Sequence, residues 1–321
     1  MSLPSRSSKG PIALPNSLPE EIQRVRQAAR SQQTIKSYQA DWRHFSTWCR
    51  QSSQCALPAS SETVEAYLVA MAQNGYKYST ISRRLSAISK AHEIEGKDSP
   101  THSLIVRTAL QGIARLHGSA QRGKSPITVT HLREMMGHIP LTLQGHRDRA
   151  LLLLGFAGAF RRSELVQLNV ADLQFVAEGI RVNLRRSKTD PLGGGFIKGI
   201  PNGDHENTCP VRAVRQWMER AGINEGPLFR PVTRHDTLRQ TRLSDASVAL
   251  IVKRYAQQVG LEVSQFSGHS LRAGLATAAA SAGVEERLIM NQTGHRSVKM
   301  VRHYIREGSL FRQNAAKGIG L

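Results

Sequence analysis

Residues 269–305 read HSLRAGLATAAASAGVEERLIMNQTGHRSVKMVRHYI. The first half holds no proline and consists almost wholly of small residues after Leu271, which predicts a helix over about 270–282. Its side chains are small enough for neighbouring backbones to come close, so its start can be held rigidly. His269 and Arg272 stand three apart and share a face at that start. A helix N-terminus favours anions, and a phosphate is a natural occupant. A second helix is predicted over 285–292. Thr293-Gly294-His295 follows it, and Tyr304 comes nine residues after His295, between Val301 and Ile305.

Upstream, AFRRSELVQL places Arg161 at the end of an apolar helix, Leu151–Phe160, with Glu164 three residues on. Residues 179–201 alternate as a strand does at Ile180, Val182 and Leu184. They pass Gly193-Gly194-Gly195 and resume at Phe196 and Ile197, which predicts a β-hairpin with a glycine tip. Further helices are predicted near 129–138, 146–158, 210–221 and 245–259. In the first third, Ile35, Tyr38, Trp42, Phe45 and Cys49 form one stripe. Val64, Leu68 and Met71 form a second, ended by Gly75. Ser79 is the expected cap of a helix that buries Ile81, Leu85, Ile88 and His92 and turns Arg83, Arg84 and Lys90 away from the core. The expectation is a mainly α chain with one small sheet. It divides into a disordered segment at 1–17, a helical domain at 18–117, a linker at 118–126 and a mixed α/β domain at 127–321.

The 321 residues carry a formal charge of +20. Both sides of Gly118 have a positive excess, so the charge is no detachable tail. A chain that is basic throughout points to a polyanion held between two surfaces, with nucleic acid foremost. Arg83, Arg84, Lys90 and the linker residues Arg122 and Lys124 are the candidate DNA contacts. Aromatic residues make up only 5% of the chain, which disfavours the stacking platforms of a single-strand or RNA binder. Three cysteines without ligand spacing argue against a disulfide framework and fit a reducing cytoplasm. His205 and Cys209 alone make a weak metal pair. No phosphate-binding glycine motif, nucleophile elbow or HExxH is present, so no cofactor is expected. Leu151–Phe160 is about half the length of a membrane span. The N-terminus lacks an apolar signal core, and a cytoplasmic, nucleoid-associated location is expected.

Each of these features is common alone. Their order is not: Arg in R-x-S-E-L, a hairpin lysine, H-x-x-R, G-H, then Tyr nine residues on. From about 125 to 310 the chain closely resembles the tyrosine recombinases of the phage integrase type, and residues 30–117 more loosely resemble their helical core-binding domain. The resemblance implies that Arg161 and Arg272 hold the scissile phosphate. It makes His269 the general acid/base, His295 the second histidine and Tyr304 the nucleophile, with Glu164 in support. Lys188 matches the hairpin lysine that protonates the leaving 5′ oxygen, with Lys198 nearby as the other choice. Arg162 adjoins Arg161, and the R-x-S-E-L frame favours the latter. A tetramer on two double-stranded DNA sites is implied, with residues 308–321, including Leu310 and Phe311, docking on the adjacent protomer.

These residue types suit phosphoryl transfer. Arginine stays charged and offers paired donors to phosphate oxygens. Tyrosine needs a base before it attacks, and histidine titrates in the right range. A type IB topoisomerase or telomere resolvase would share this set and differ in outcome. A non-cleaving architectural DNA-binding protein would not need all of it.

Overall fold

The computed structural model describes residues 32–119, 123–185 and 195–295, together with 297, 298, 301, 302 and 304. Residues 1–17, Arg122, Lys188 and the segment beyond 308 lie outside the described residues. The chain forms two compact units, one ending at Arg122 and the other starting at Gly123.

The first unit is helical: α1 (Gln32–Gln51), α2 (Ser61–Gln73), α3 (Tyr78–Ile94) and α4 (Leu104–His117). The stripes read from the sequence meet in one core of Phe45, Val64, Tyr67, Leu68, Ile81, Ile88, Val106 and Ile113. Ser60 and Ser103 cap α2 and α4 by accepting from the backbone N–H groups of Thr63 and Val106. Helix α3 starts one residue before the expected cap at Ser79. Lys77 takes the cap position with no side-chain hydrogen bond, in extended backbone.

The second unit is built around α6 (Leu143–Ala157), whose Ala150–Leu154 stretch is buried on every side. It packs on α8 (Pro210–Ala221), where fully buried Trp217 donates its indole N–H to the Leu228 carbonyl at 2.8 Å. Helices α5 (Val129–His138), α7 (Arg162–Gln167), α9 (Asp245–Gln258), α10 (His269–Ser281) and α11 (Glu286–Thr293) complete the helical part.

The hairpin expected at 179–201 is present as β2 (Gly179–Leu184) and β3 (Phe196–Pro201). A strand the alternation did not reveal, β1 (Leu173–Val176), adds to its edge and makes an antiparallel sheet in the order β1-β2-β3. With four residues and no clean alternation of burial, LQFV carries too little pattern to be read alone. Opposite Val182, on the buried face of β2, stands Lys198.

Helix α10 uses its small residues as the sequence suggested. A Cβ on Gly274 would lie 2.1 Å from the Ile127 carbonyl oxygen. Ile127 in turn donates its N–H to the Ser270 carbonyl at 3.0 Å. The start of the second unit is therefore laid directly on α10. Gly274→Ala should destabilise this unit by about 1–3 kcal/mol. A thermal unfolding midpoint equal to wild type would show that the two backbones can part without cost.

Candidate active site

The site begins at a sharp turn. Helix α6 ends at Ala157, earlier than the apolar run suggests, because Ala159 adopts a left-handed conformation (φ +46°). A non-glycine residue in this region is strained, and such strain persists where the surroundings over-determine it. Here three successive carbonyls are each taken by a different element. Ala157 accepts from Gln292 Nε2 at 2.8 Å, Gly158 from Lys198 Nζ at 2.6 Å and Ala159 from Arg272 at 2.8 Å.

Arg161 therefore opens a new helix, α7, instead of closing α6. Its backbone N–H donates to Glu164 Oε2 at 2.9 Å, and its guanidinium donates to Oε1 at 2.5 Å. Glu164 is 5% exposed and caps the first turn while orienting Arg161. Arg162, its neighbour, turns elsewhere. Its aliphatic stem occupies the space a Cβ on Gly268 would need.

Arg272 projects from the first turn of α10 and is 1% exposed. One terminal nitrogen donates to Ala159, while the other, Nη2, is buried without a hydrogen-bond partner. Leaving such a donor unmet is costly, so this atom marks where an acceptor belongs. Burial, and next the charge of Arg161, bring the Arg272 pKa down to about 10, which leaves it charged at neutral pH.

His269 and Tyr304 meet directly, with Nε2 and Oη 2.9 Å apart. Desolvation, followed by the charges of Arg272, Arg161 and Arg162, lowers the His269 pKa. The ring is thus neutral at neutral pH and can take a phenolic proton. Tyr304 is held from behind by a small cluster of Ala276, Ala280, Ile289 and Val301.

His295 follows left-handed Gly294, the C-cap of α11 (φ +63°). Its ring stacks on that of Tyr304 with centroids 5.9 Å apart, and Nδ1 lies 2.8 Å from Thr293 Oγ1. Burial, then Arg272, Arg161, His269 and Lys198, push its pKa down to about 3. The resemblance gives His295 only as the second histidine of the site. The structure holds it neutral among so many cations. A phosphate anion placed there would act in the opposite sense and draw a proton onto it.

Arg161, Glu164, His269, Arg272, His295 and Tyr304 thus converge from four separate parts of the chain. Lys198, which the sequence reading kept only as an alternative to Lys188, is also at this centre and is 2% exposed. The parity of Phe196, Lys198 and Ile200 along β3 was the signal that would have placed it inside. Among the described residues no group of three His, Cys, Asp or Glu side chains is placed to hold a metal ion. Cys209 instead caps α8 by accepting from the Arg212 N–H.

The candidate DNA contacts differ in their surroundings. Arg83 is exposed but pairs with Asp41. Lys90 pairs with Glu93 at 2.7 Å, and Lys124 donates to the Ser264 carbonyl at 2.5 Å. Arg84, expected to point away from the core face, is folded inward instead. Its side chain is 12% exposed, near Asp41, with its guanidinium 4.5 Å from the Tyr76 ring centroid. Buried Asp41 needs a compensating charge, and Arg84 supplies part of it.

This fold and this clustering of two arginines, two histidines and a tyrosine define a DNA breaking-and-rejoining enzyme. Residues 126–309 match the phage integrase family, and residues 23–94 match its N-terminal SAM-like domain. The chain belongs to that family and is a tyrosine site-specific recombinase. It is 44% identical over 293 residues to an integrase/recombinase XerD homolog of Selenomonas ruminantium, covering 89% of this chain and 85% of the relative. Recombinase Cre of Escherichia phage P1 is 25% identical over 298 residues, covering 87% and 85%. The fold is shared with a lambda integrase dimer bound to a core site (TM-score 0.58, 15% identity), over 90% of this chain and 76% of that one. It is also shared with XerH bound to its palindromic difH substrate (TM-score 0.56, 16% identity), over 79% and 71%. No helix among the described residues is long and apolar enough to cross a membrane.

The His295 environment has a consequence for stability. An unfolded histidine titrates near 6.5, whereas this one titrates at about 3 when folded. Between these values the unfolded chain binds the extra proton, so stability falls as pH is lowered through that window. In His295→Gln the loss of stability from pH 6.5 towards 3 should be smaller than in wild type. Parallel curves from thermal unfolding across this range would contradict the assignment.

Proposed function

We propose that this recombinase cuts each DNA strand by attack of Tyr304 on the scissile phosphorus. The contact between His269 Nε2 and Tyr304 Oη, beside the unmet donor of Arg272, carries this reading. The Tyr304 Oη–P bond forms as the P–O5′ bond breaks. The phenolic proton passes to His269, and a proton is supplied to the departing 5′ oxygen, the role the family resemblance gives Lys188. The products are a 3′-phosphotyrosyl protein and a free 5′-hydroxyl.

Arg161 and Arg272 supply donors and positive charge for the pentacoordinate transition state. Rejoining is the reverse step with a 5′-hydroxyl from the other duplex. One phosphoester is exchanged for another throughout, so the reaction balances without nucleotide hydrolysis, and the positive charge it needs comes from side chains. Two duplexes of two strands require four cleavages. With one Tyr304 per chain this favours a homotetramer on two double-stranded sites. The helical first unit would act as the core-binding domain and the second as the catalytic domain. Arg83 and Lys90 are its proposed backbone contacts, with Lys124 and Arg122 beside the linker, and the C-terminal segment would join protomers.

Tyr304→Phe should bind duplex DNA as wild type does and form no covalent adduct on a nicked suicide substrate. An adduct that survives this substitution would falsify the nucleophile. Arg272→Ala should slow adduct formation by about 10²–10³-fold, the usual cost of one transition-state donor. Affinity for the duplex should fall steeply as salt rises, measured by titration at several ionic strengths.

A further inference from the structure

The mechanism above makes no use of Lys198, yet it is one of the most buried charged groups in the protein. Its ammonium lies between the C-terminal ends of two helices. It donates to the carbonyl of Gly158, the C-cap of α6, at 2.6 Å, and to that of Gln292, in the last turn of α11, at 2.5 Å. Helix C-termini present unmet carbonyls and a negative dipole end, so a cation is favoured at both. The Phe160 ring, 4.9 Å away, adds a third favourable surface. Gln292 ties the same parts together from the other side, its amide donating to Ala157 at 2.8 Å and to Gly199 of β3 at 3.2 Å. Arg161 follows this turn by three residues, and His295 follows Gln292 by three.

We propose that Lys198 and Gln292 form a positioning lock that sets the Arg161 turn and the His295 segment at their working separation, with Lys198 acting through the backbone and not on the substrate. This rests on the reading of the site as a phosphoryl-transfer centre. Among the described residues Lys198 donates to two acceptors, both main-chain oxygens, and its buried ammonium is held at the two helix ends. Burial brings its pKa down to about 7, with Glu164 drawing it up and Arg272 and Arg161 pressing it lower. The amine keeps two N–H donors for two carbonyls even when it loses its proton.

The test is Lys198→Met in the full-length chain, assayed in single turnover at saturating DNA. One suicide substrate carries the natural 5′ oxygen, and a second carries sulfur at the same bridging position, where the leaving group needs no proton. The lock predicts wild-type duplex affinity and a cleavage rate reduced about 100-fold, as a displacement near 1 Å would give. The loss should be the same with both substrates. Restoration of the wild-type rate by sulfur would overturn the proposal, because Lys198 would then be the leaving-group acid. Unchanged cleavage of the oxygen substrate would overturn it as well. Should Lys198→Met not fold, Gln292→Leu carries the test. It removes the parallel hydrogen bonds and leaves Lys198, and cleavage at the wild-type rate would again overturn the lock. Failure of the wild-type chain to form any adduct would instead sink the reading of Tyr304, with the lock's hydrogen bonds unaffected.

Discussion

The three carbonyls of Ala157, Gly158 and Ala159 form the constraint on which the site depends. Each is satisfied by a side chain from a distant part of the sequence, namely Gln292, Lys198 and Arg272. Buried backbone carbonyls need partners, and a strained residue such as Ala159 persists only where its neighbours leave no alternative. The turn ends α6 early and swings Arg161 into a new helix, where Glu164 can hold it. Were α6 to run on through Phe160, Arg161 would leave this position, and Arg272 would lose the carbonyl that fixes one half of its guanidinium. The other half, Nη2, is the buried donor without a partner.

Among the described residues, Arg161, Arg272 and Lys198 gather around this turn with one buried carboxylate, Glu164. Burial first, and then the neighbouring cations, hold His269 and His295 below the usual histidine range and push Arg272 and Lys198 down as well. Such a centre is costly alone and complementary to an anion, which is the arrangement expected where charge develops in a transition state. The two histidines differ in position: His269 touches the tyrosine hydroxyl, while His295 stacks on the ring.

Much of this was legible beforehand. The stripes of the first unit, the hairpin at 179–201 and the small-residue helix were each carried by a local periodicity, and local periodicity reports which face is buried. Strand β1 was missed because four residues hold too few alternations. Arg84 was placed outside because a helix pattern shows the apolar face, whereas its inward turn is caused by Asp41, which stands on another helix. The helix expected near 146–158 ends at Ala157, although the apolar run continues to Phe160, and what fixes the turn beyond it is a set of partners more than thirty residues away.

The sequence by itself determined the class of chemistry. The types, order and spacing of Arg161, His269, Arg272, His295 and Tyr304 resemble the tyrosine recombinase pattern, and that pattern is carried in the residue names. Which nitrogen of Arg272 is left without a partner, that His295 is held neutral, and that Lys198 lies at the meeting of two helix ends were decided only by the tertiary structure. Hydrogen-bond satisfaction and charge–charge interaction depend on distances between residues far apart in the chain, and those distances do not exist until the chain is folded.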